Sequence, residues 1–169
     1  VTIGNGKYML VEFSTNIFPS GFKQEFFKLQ ENGVVPVIAH PERYRFVQND
    51  INIINIWIER GYIIQIDAGS IIGQFGKATK NIVHKIINNG CFHLIGSDAH
   101  NNKKRNFCIK DAYDYLEDLY SIEMVECLKE NANSILFGKD FNSINYHLTP
   151  RVKKNKLYKL KEKLFKFLS

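Results

Sequence analysis

Four short apolar runs constrain this chain more than any other feature. They are Tyr8–Phe13 (YMLVEF), Val34–Ala39 (VVPVIA), Tyr62–Asp67 (YIIQID) and Phe92–Ser97 (FHLIGS). Near-continuous apolar runs of this length read as buried parallel strands. Helical stretches separate them. Gly21–Asn32 carries Phe22, Phe26 and Leu29 on one face and stops at Asn32-Gly33. Asp50–Arg60 follows, with Asp50 as its N-cap and Gly61 just past its end. Lys77–Asn89 ends at Asn89-Gly90, and two further helices are predicted over 108–119 and 122–137. Strands separated by single helices imply right-handed βαβ units and a parallel sheet. An open sheet and part of a barrel satisfy this pattern equally. Pro36 takes one ladder donor from the second strand.

The strand ends are where chemistry collects. The first run ends in Glu12, the second in His40-Pro41-Glu42-Arg43, the third in Asp67-Ala68-Gly69-Ser70 and the fourth in Ser97-Asp98-Ala99-His100. In parallel α/β folds the C-terminal strand ends form one rim, on which sites are built. Neighbouring strands would bring Glu12, His40, Asp98 and His100 together there. Asp98 and His100 are two apart, so an extended segment points both the same way. Carboxylates and imidazoles together suit Zn, Mn or Fe. Such a cluster can activate water at neutral pH and clamp phosphoryl oxygens. Arg43 and Arg105 follow His40 and His100 closely, and guanidinium is the natural partner of a phosphate. A lone rim carboxylate or a lone histidine before proline is ordinarily structural; the joint pattern carries the site.

Other chemistries fit less well. Cys91, Cys108 and Cys127 are scattered and odd in number, which suits reduced, inert thiols. None is followed by the arginine of a C-x5-R phosphatase motif, because Ser97, Asp114 and Asn133 stand there. Gly69–Thr79 fails the phosphate-loop pattern: Ile71 occupies the first glycine position and Ala78 follows Lys77. Gly69, Gly73 and Gly76 instead suggest a gating loop over the rim. His84, His93 and His147 read as structural.

Charge separates the chain into two parts. The 169 residues carry a net charge of +6. Residues 151–169 hold eight Lys or Arg and one Glu, leaving 15 basic and 16 acidic residues in 1–150. A nearly neutral body argues against a nucleic-acid partner. No apolar run approaches the roughly 20 residues of a membrane-spanning helix, and the first ten residues lack a secretory leader pattern. Leu157, Leu160, Leu164 and Phe167 recur at helical spacing among lysines. Residues 138–150 read as a linker, so Arg151–Ser169 becomes a basic amphipathic tail suited to an anionic membrane surface or a partner. A solvated, frayed terminus fits the tail equally.

The sequence resembles the bacterial PHP-domain tyrosine phosphatases of capsular and exopolysaccharide biosynthesis. The resemblance rests on VEF at Val11–Phe13, AHPER at Ala39–Arg43, the D-A-G-S…G-x-F-G-K stretch at Asp67–Lys77, and SDAHN with a following Arg105. It implies a PHP-type (β/α)7 barrel related to the TIM barrel, with a multinuclear manganese site on its C-terminal rim. Glu12, His40, Asp98 and His100 would be metal ligands, and Arg43 and Arg105 would bind phosphate. A metal-bound hydroxide would attack phosphotyrosine, releasing tyrosine and inorganic phosphate. The expected substrate is the tyrosine-rich tail of the kinase that controls polysaccharide chain length. The expected location is cytoplasmic, peripheral at the inner membrane face. The family also has an H-x-H pair on its first strand, then another histidine and a bridging glutamate. The first histidine here is His40, so residues 1–137 read as the C-terminal part of a barrel lacking its N-terminal strands, and the initial valine agrees. Asp67 stands where the family more often has an uncharged residue. Two alternatives remain: another PHP phosphoesterase of histidinol-phosphatase type, and a non-catalytic PHP-like binding module.

Overall fold

A computed structural model describes residues 2–101 and 106–140. Five strands form one curled sheet in the order β1-β2-β3-β4-β5. These are β1 (Thr2–Ile3), β2 (Tyr8–Val11), β3 (Val35–Ala39), β4 (Ile63–Asp67) and β5 (Leu94–Gly96). From β2 onward all neighbours are parallel, paired through Tyr8↔Val35, Val37↔Ile63 and Gln65↔Leu94 among others. Helices α1 (Phe22–Glu31), α2 (Arg45–Asn49), α3 (Asn52–Glu59), α4 (Ala68–Ile72), α5 (Gly76–Asn88), α6 (Ile109–Leu119) and α7 (Ile122–Leu136) complete the chain. The alternation expected from the apolar runs is therefore present, as a mixed α/β fold with a half-barrel sheet.

Period-two alternation divides each strand between two faces. Ile38, Ile64, Ile66 and Ile95 point into the main core, against Phe22, Phe26, Ile54, Trp57, Val83 and Ile86 of the crossover helices. Phe13 joins this core with its ring 5.5 Å from Phe22 and 5.8 Å from Phe26. On the opposite face, Tyr8, Val37, Ile63 and Leu94 form a second apolar cluster, closed by Ile135 of α7. α7 starts at Ser121, whose hydroxyl accepts from the Met124 N–H. Its Asn131 amide donates to the His93 carbonyl, and Tyr8 donates from its hydroxyl to the Lys139 carbonyl.

The structure alters several local expectations. The first and fourth strands are shorter than their apolar runs, because Glu12, Phe13 and Ser97 have left the ladder. The Phe13 N–H donates to the Tyr44 hydroxyl instead. Strand β1 is antiparallel and only two residues long, too short for periodicity to reveal. Pro36 costs no ladder bond, because pairing with β4 begins only at Val37. The helix expected over Asp50–Arg60 spans Asn52–Glu59, and the Asp50 carboxylate accepts the Asn52 N–H.

The expected gating loop at Gly69–Thr79 is instead helical for most of its length. Gly69 and Ser70 are buried within α4, and α5 already begins at Gly76. Asp67 caps α4 through the Gly69 N–H at 2.7 Å, which starts the helix directly at the strand end. Lys139 and Asp140 lie against the start of β2, with Lys7 Nζ 2.6 Å from Asp140. The remainder of the expected linker, the tail Arg151–Ser169, His147 and Arg105 lie outside the described residues. No helix among the described residues is long and apolar enough to cross a membrane.

Candidate active site at the C-terminal rim

The same face that is apolar at the strand starts becomes polar at their ends. Leu10, Glu12, Ala39, His40, Gln65, Gly96, Ser97 and Asp98 line an open cavity of about 480 Å³. Glu12 and His40 meet there, with Glu12 Oε1 3.3 Å from His40 Nε2. His40 continues the sheet hydrogen bonding, donating its N–H to the Gln65 carbonyl at 2.7 Å. Its ring packs edge-on against Tyr44, whose hydroxyl donates to the Ala39 carbonyl. Burial, and then the nearby Arg43 charge, push the His40 pKa down. Both effects favour the neutral imidazole, the form that binds metals. Its Nδ1 is buried without a partner among the described residues.

Arg43 lies one short turn further on. Its Nη1 donates to Asp98 at 2.5 Å and to Asp67 Oδ2 at 3.2 Å. The Phe75 ring covers it, with the guanidinium carbon 4.7 Å from the ring centroid. Asp98 is thus tied to the second strand end, across the sheet from its own. His100 turns back onto Asp98: Nδ1 is 2.7 Å from the Asp98 carbonyl oxygen and 3.6 Å from Oδ1. The juxtaposition expected of these two residues is present, but not through an extended segment. Asp98 has φ 43° and His40 has φ 35°, two of the three non-glycine residues with positive φ among those described. Such backbones cost of order 1–3 kcal/mol each and persist where surrounding contacts enforce them.

The donor chemistry fits a divalent cation of the Mn, Fe or Zn kind: two carboxylates, two imidazoles and no thiolate. The donors stand as two pairs, Glu12 with His40 and Asp98 with His100. Among the described residues, no three His, Cys, Asp or Glu side chains gather closely enough to hold one ion. The cysteines stay away from the cavity. Cys91 donates to Asn55, and burial raises both the Cys91 and Cys108 thiols.

Two residues stand out that strand-end polarity alone did not assign. Glu42 is completely buried, and its Oε1 accepts the Asp67 N–H at 3.1 Å. Burial pushes its carboxyl up to about 7. Nothing in the A-H-P-E-R pattern announces this, because the 3₁₀ turn Pro41–Arg43 rotates Glu42 inward and Arg43 outward. Asp67 did carry a signal, ending its apolar strand as Glu12 and Asp98 follow theirs. Its carboxylate joins the α4 cap to Arg43, and burial raises its pKa.

The chain is similar to known proteins in both sequence and fold. A family model described as capsular polysaccharide synthesis, CpsB/CapC, matches residues 1–137. The tyrosine-protein phosphatase YwqE of Bacillus subtilis (strain 168) is 37% identical over 136 residues, covering 80% of this chain and 54% of that protein. The putative tyrosine-protein phosphatase CapC of Staphylococcus aureus is 34% identical over 125 residues, 70% of this chain and 49% of its own. A solved structure superposes with TM-score 0.80 and 34% identity, over 89% of this chain and 60% of the other. It belongs to the crystal structures of YwqE from Bacillus subtilis and CpsB from Streptococcus pneumoniae, described as unique metal-dependent tyrosine phosphatases. The chain spans about half the length of the curated relatives it matches.

Proposed function

This chain belongs to the CpsB/CapC family of capsular polysaccharide synthesis, and from that premise we propose that it forms part of a metal-dependent protein-tyrosine phosphatase. One observation carries the reading. Glu12, His40 and Asp98 line one cavity at the C-terminal ends of parallel strands, and Asp98 is paired there with Arg43. The complete protein would be a PHP-type (β/α)7 barrel, with residues 1–137 as its C-terminal part.

Glu12 with His40 and Asp98 with His100 would each supply ligands to a multinuclear site that the rest of the complete protein fills out, with Mn²⁺ the preferred ion. A bound divalent cation acidifies water and offsets phosphoryl charge. The chain's own residues supply the rest. His40 presents a neutral imidazole from a buried, fixed ring. Arg43, anchored by Asp67 and Asp98 through one nitrogen, keeps further N–H groups for phosphoryl oxygens. Arg105 would provide a second guanidinium. The substrate would be a phosphotyrosine protein, the polysaccharide-assembly kinase. Location would be cytoplasmic, with the basic residues of Arg151–Ser169 supporting contact with an anionic membrane face.

The test is phosphate release from a phosphotyrosine peptide by the full-length protein, with Mn²⁺ and with chelator. Chelator-sensitive release is expected. Faster turnover of histidinol phosphate than of the peptide would replace this reading with the phosphoesterase alternative. Peptide binding without release would leave a binding module.

A further inference from the structure

Arg43 is gripped on three sides, and one side is unlike the others. Asp67 and Asp98 hold one nitrogen of the guanidinium, whereas its carbon lies over the Phe75 ring, 4.7 Å from the centroid. Phe75 belongs to the turn between α4 and α5, distant in sequence from Arg43. That turn is built to place the ring. The Gln74 N–H donates to the Gly69 carbonyl at 2.8 Å, folding the segment back over the start of α4. A Cβ on Gly69 would stand 2.9 Å from Phe75 Cε2 and 2.7 Å from Gln74 Oε1. The ring therefore packs against a residue that must lack a side chain, and against Arg43 as well.

We infer that Phe75 is a positioning residue that holds the Arg43 guanidinium in the plane suited to a phosphoryl group. Carboxylates alone fix one nitrogen and leave the plane free to rotate about it. An aromatic face removes that freedom, because guanidinium stacks flat on a ring and is attracted to it. A fixed fork binds two phosphoryl oxygens at once; a rotating one binds them less well. Gly69 acts one step further away, by leaving room for the ring. Gly69 thus serves to hold an arginine still rather than to permit motion.

The inference rests on Arg43 binding phosphate, and the experiment separates the two claims. The probe is inorganic phosphate as a competitive inhibitor of peptide hydrolysis by the full-length protein. Phe75→Leu should raise the inhibition constant and the peptide KM together, by roughly 5–20-fold, the range of a partly desolvated cation–π contact. The effect on kcat should stay within about threefold. Phe75→Trp should restore binding, which a purely space-filling role would not predict. Gly69→Ala touches neither Arg43 nor the cavity, although its Cβ would press on Phe75 and also lie 3.2 Å from Asp67 Oδ1, and should raise the phosphate constant in the same direction. In an Arg43→Lys background, Phe75→Leu should add less than about a twofold further change.

If Phe75→Leu and Gly69→Ala both fold and bind phosphate normally while Arg43→Lys does not, the positioning role is wrong and the phosphate role of Arg43 stands. If Arg43→Lys itself leaves phosphate binding unchanged, the underlying reading of Arg43 fails. Should Phe75→Leu not fold, Gly69→Ala and Phe75→Trp still decide: a normal constant in the former, or a strongly raised one in the latter, overturns the inference.

Discussion

One face of the sheet carries two regions with opposite physics. At the strand starts, Tyr8, Val37, Ile63 and Leu94 are closed over by Ile135 and exclude water. At the strand ends, Glu12, His40, Asp67 and Asp98 replace them on the same strands or just beyond. The lower layer is held by burial, which has no direction and tolerates exchange among similar shapes. The upper layer is held by ion pairs, directional hydrogen bonds and two left-handed backbones at His40 and Asp98. Such features contribute little net stability but fix side chains in space. Gln65 and Gly96 mark the border. Gly96 has no room for a Cβ, which would meet the Gln65 amide at 2.7 Å. Polarity along the strand, rather than the strand itself, decides what each position does.

The most severe way to probe this division is at the top. Asp98→Asn keeps the shape but removes the charge that pairs with Arg43. Phosphotyrosine hydrolysis by the full-length protein should fall at least about a thousandfold, the scale of losing metal-assisted charge stabilisation. The melting temperature should move little. A variant that loses activity only by unfolding would erase the distinction between layers.

The converse holds at the bottom. Ile63 is 1% exposed, and Ile63→Ala leaves a cavity under α7. Unfolding free energy should drop by about 3–4 kcal/mol. Molecules that remain folded should keep their KM for the phosphopeptide. Urea denaturation paired with kinetics well below the midpoint measures both.

Legibility in the sequence followed the same division. The apolar lower layer and main core announced themselves as runs, so the four parallel strands and five of the helices could be read from residue pattern. Strand-end polarity likewise flagged Glu12, His40, Arg43 and Asp98. What escaped depends on contacts between distant segments or on local backbone reversal. The left-handed φ at Asp98 and the inward rotation of Glu42 leave no periodic trace. The burial of Gly69 against Phe75 reversed the meaning of that glycine, because glycine serves close approach as readily as motion. α4 was hidden for a related reason: its five residues include a glycine-serine step and make little more than one helical turn, too few to show a periodic face.

A pH experiment sharpens the boundary further. His93 lies at the start of β5, below the site, with Nδ1 accepting the Ile64 N–H at 3.0 Å. Burial lowers its pKa to about 4, against about 6.5 when unfolded. The folded state therefore resists a proton that the unfolded chain accepts. Stability from this residue is complete above about pH 6.5 and is lost as pH falls toward 4, by up to about 3 kcal/mol. Urea midpoints at pH 7 and pH 4.5 should differ accordingly, and His93→Gln should shrink the difference. An unchanged difference would place the acid sensitivity in the upper layer instead.

The smallest expected effect tests whether the layers are independent. Tyr8 is 2% exposed, and its hydroxyl donates to the Lys139 carbonyl at 2.6 Å. Tyr8→Phe removes that bond while keeping the ring in the lower cluster. Lys139 is exposed, so water can take over its carbonyl, and the loss should be about 1 kcal/mol. The hydroxyl ties the segment after α7 to the strand that ends at the site, one residue before Glu12. If the layers are independent, kcat and KM should be unchanged within about twofold. If phosphopeptide turnover instead falls tenfold at so small a cost in stability, β2 transmits the position of α7 to Glu12. The lower layer would then set the geometry of the upper one.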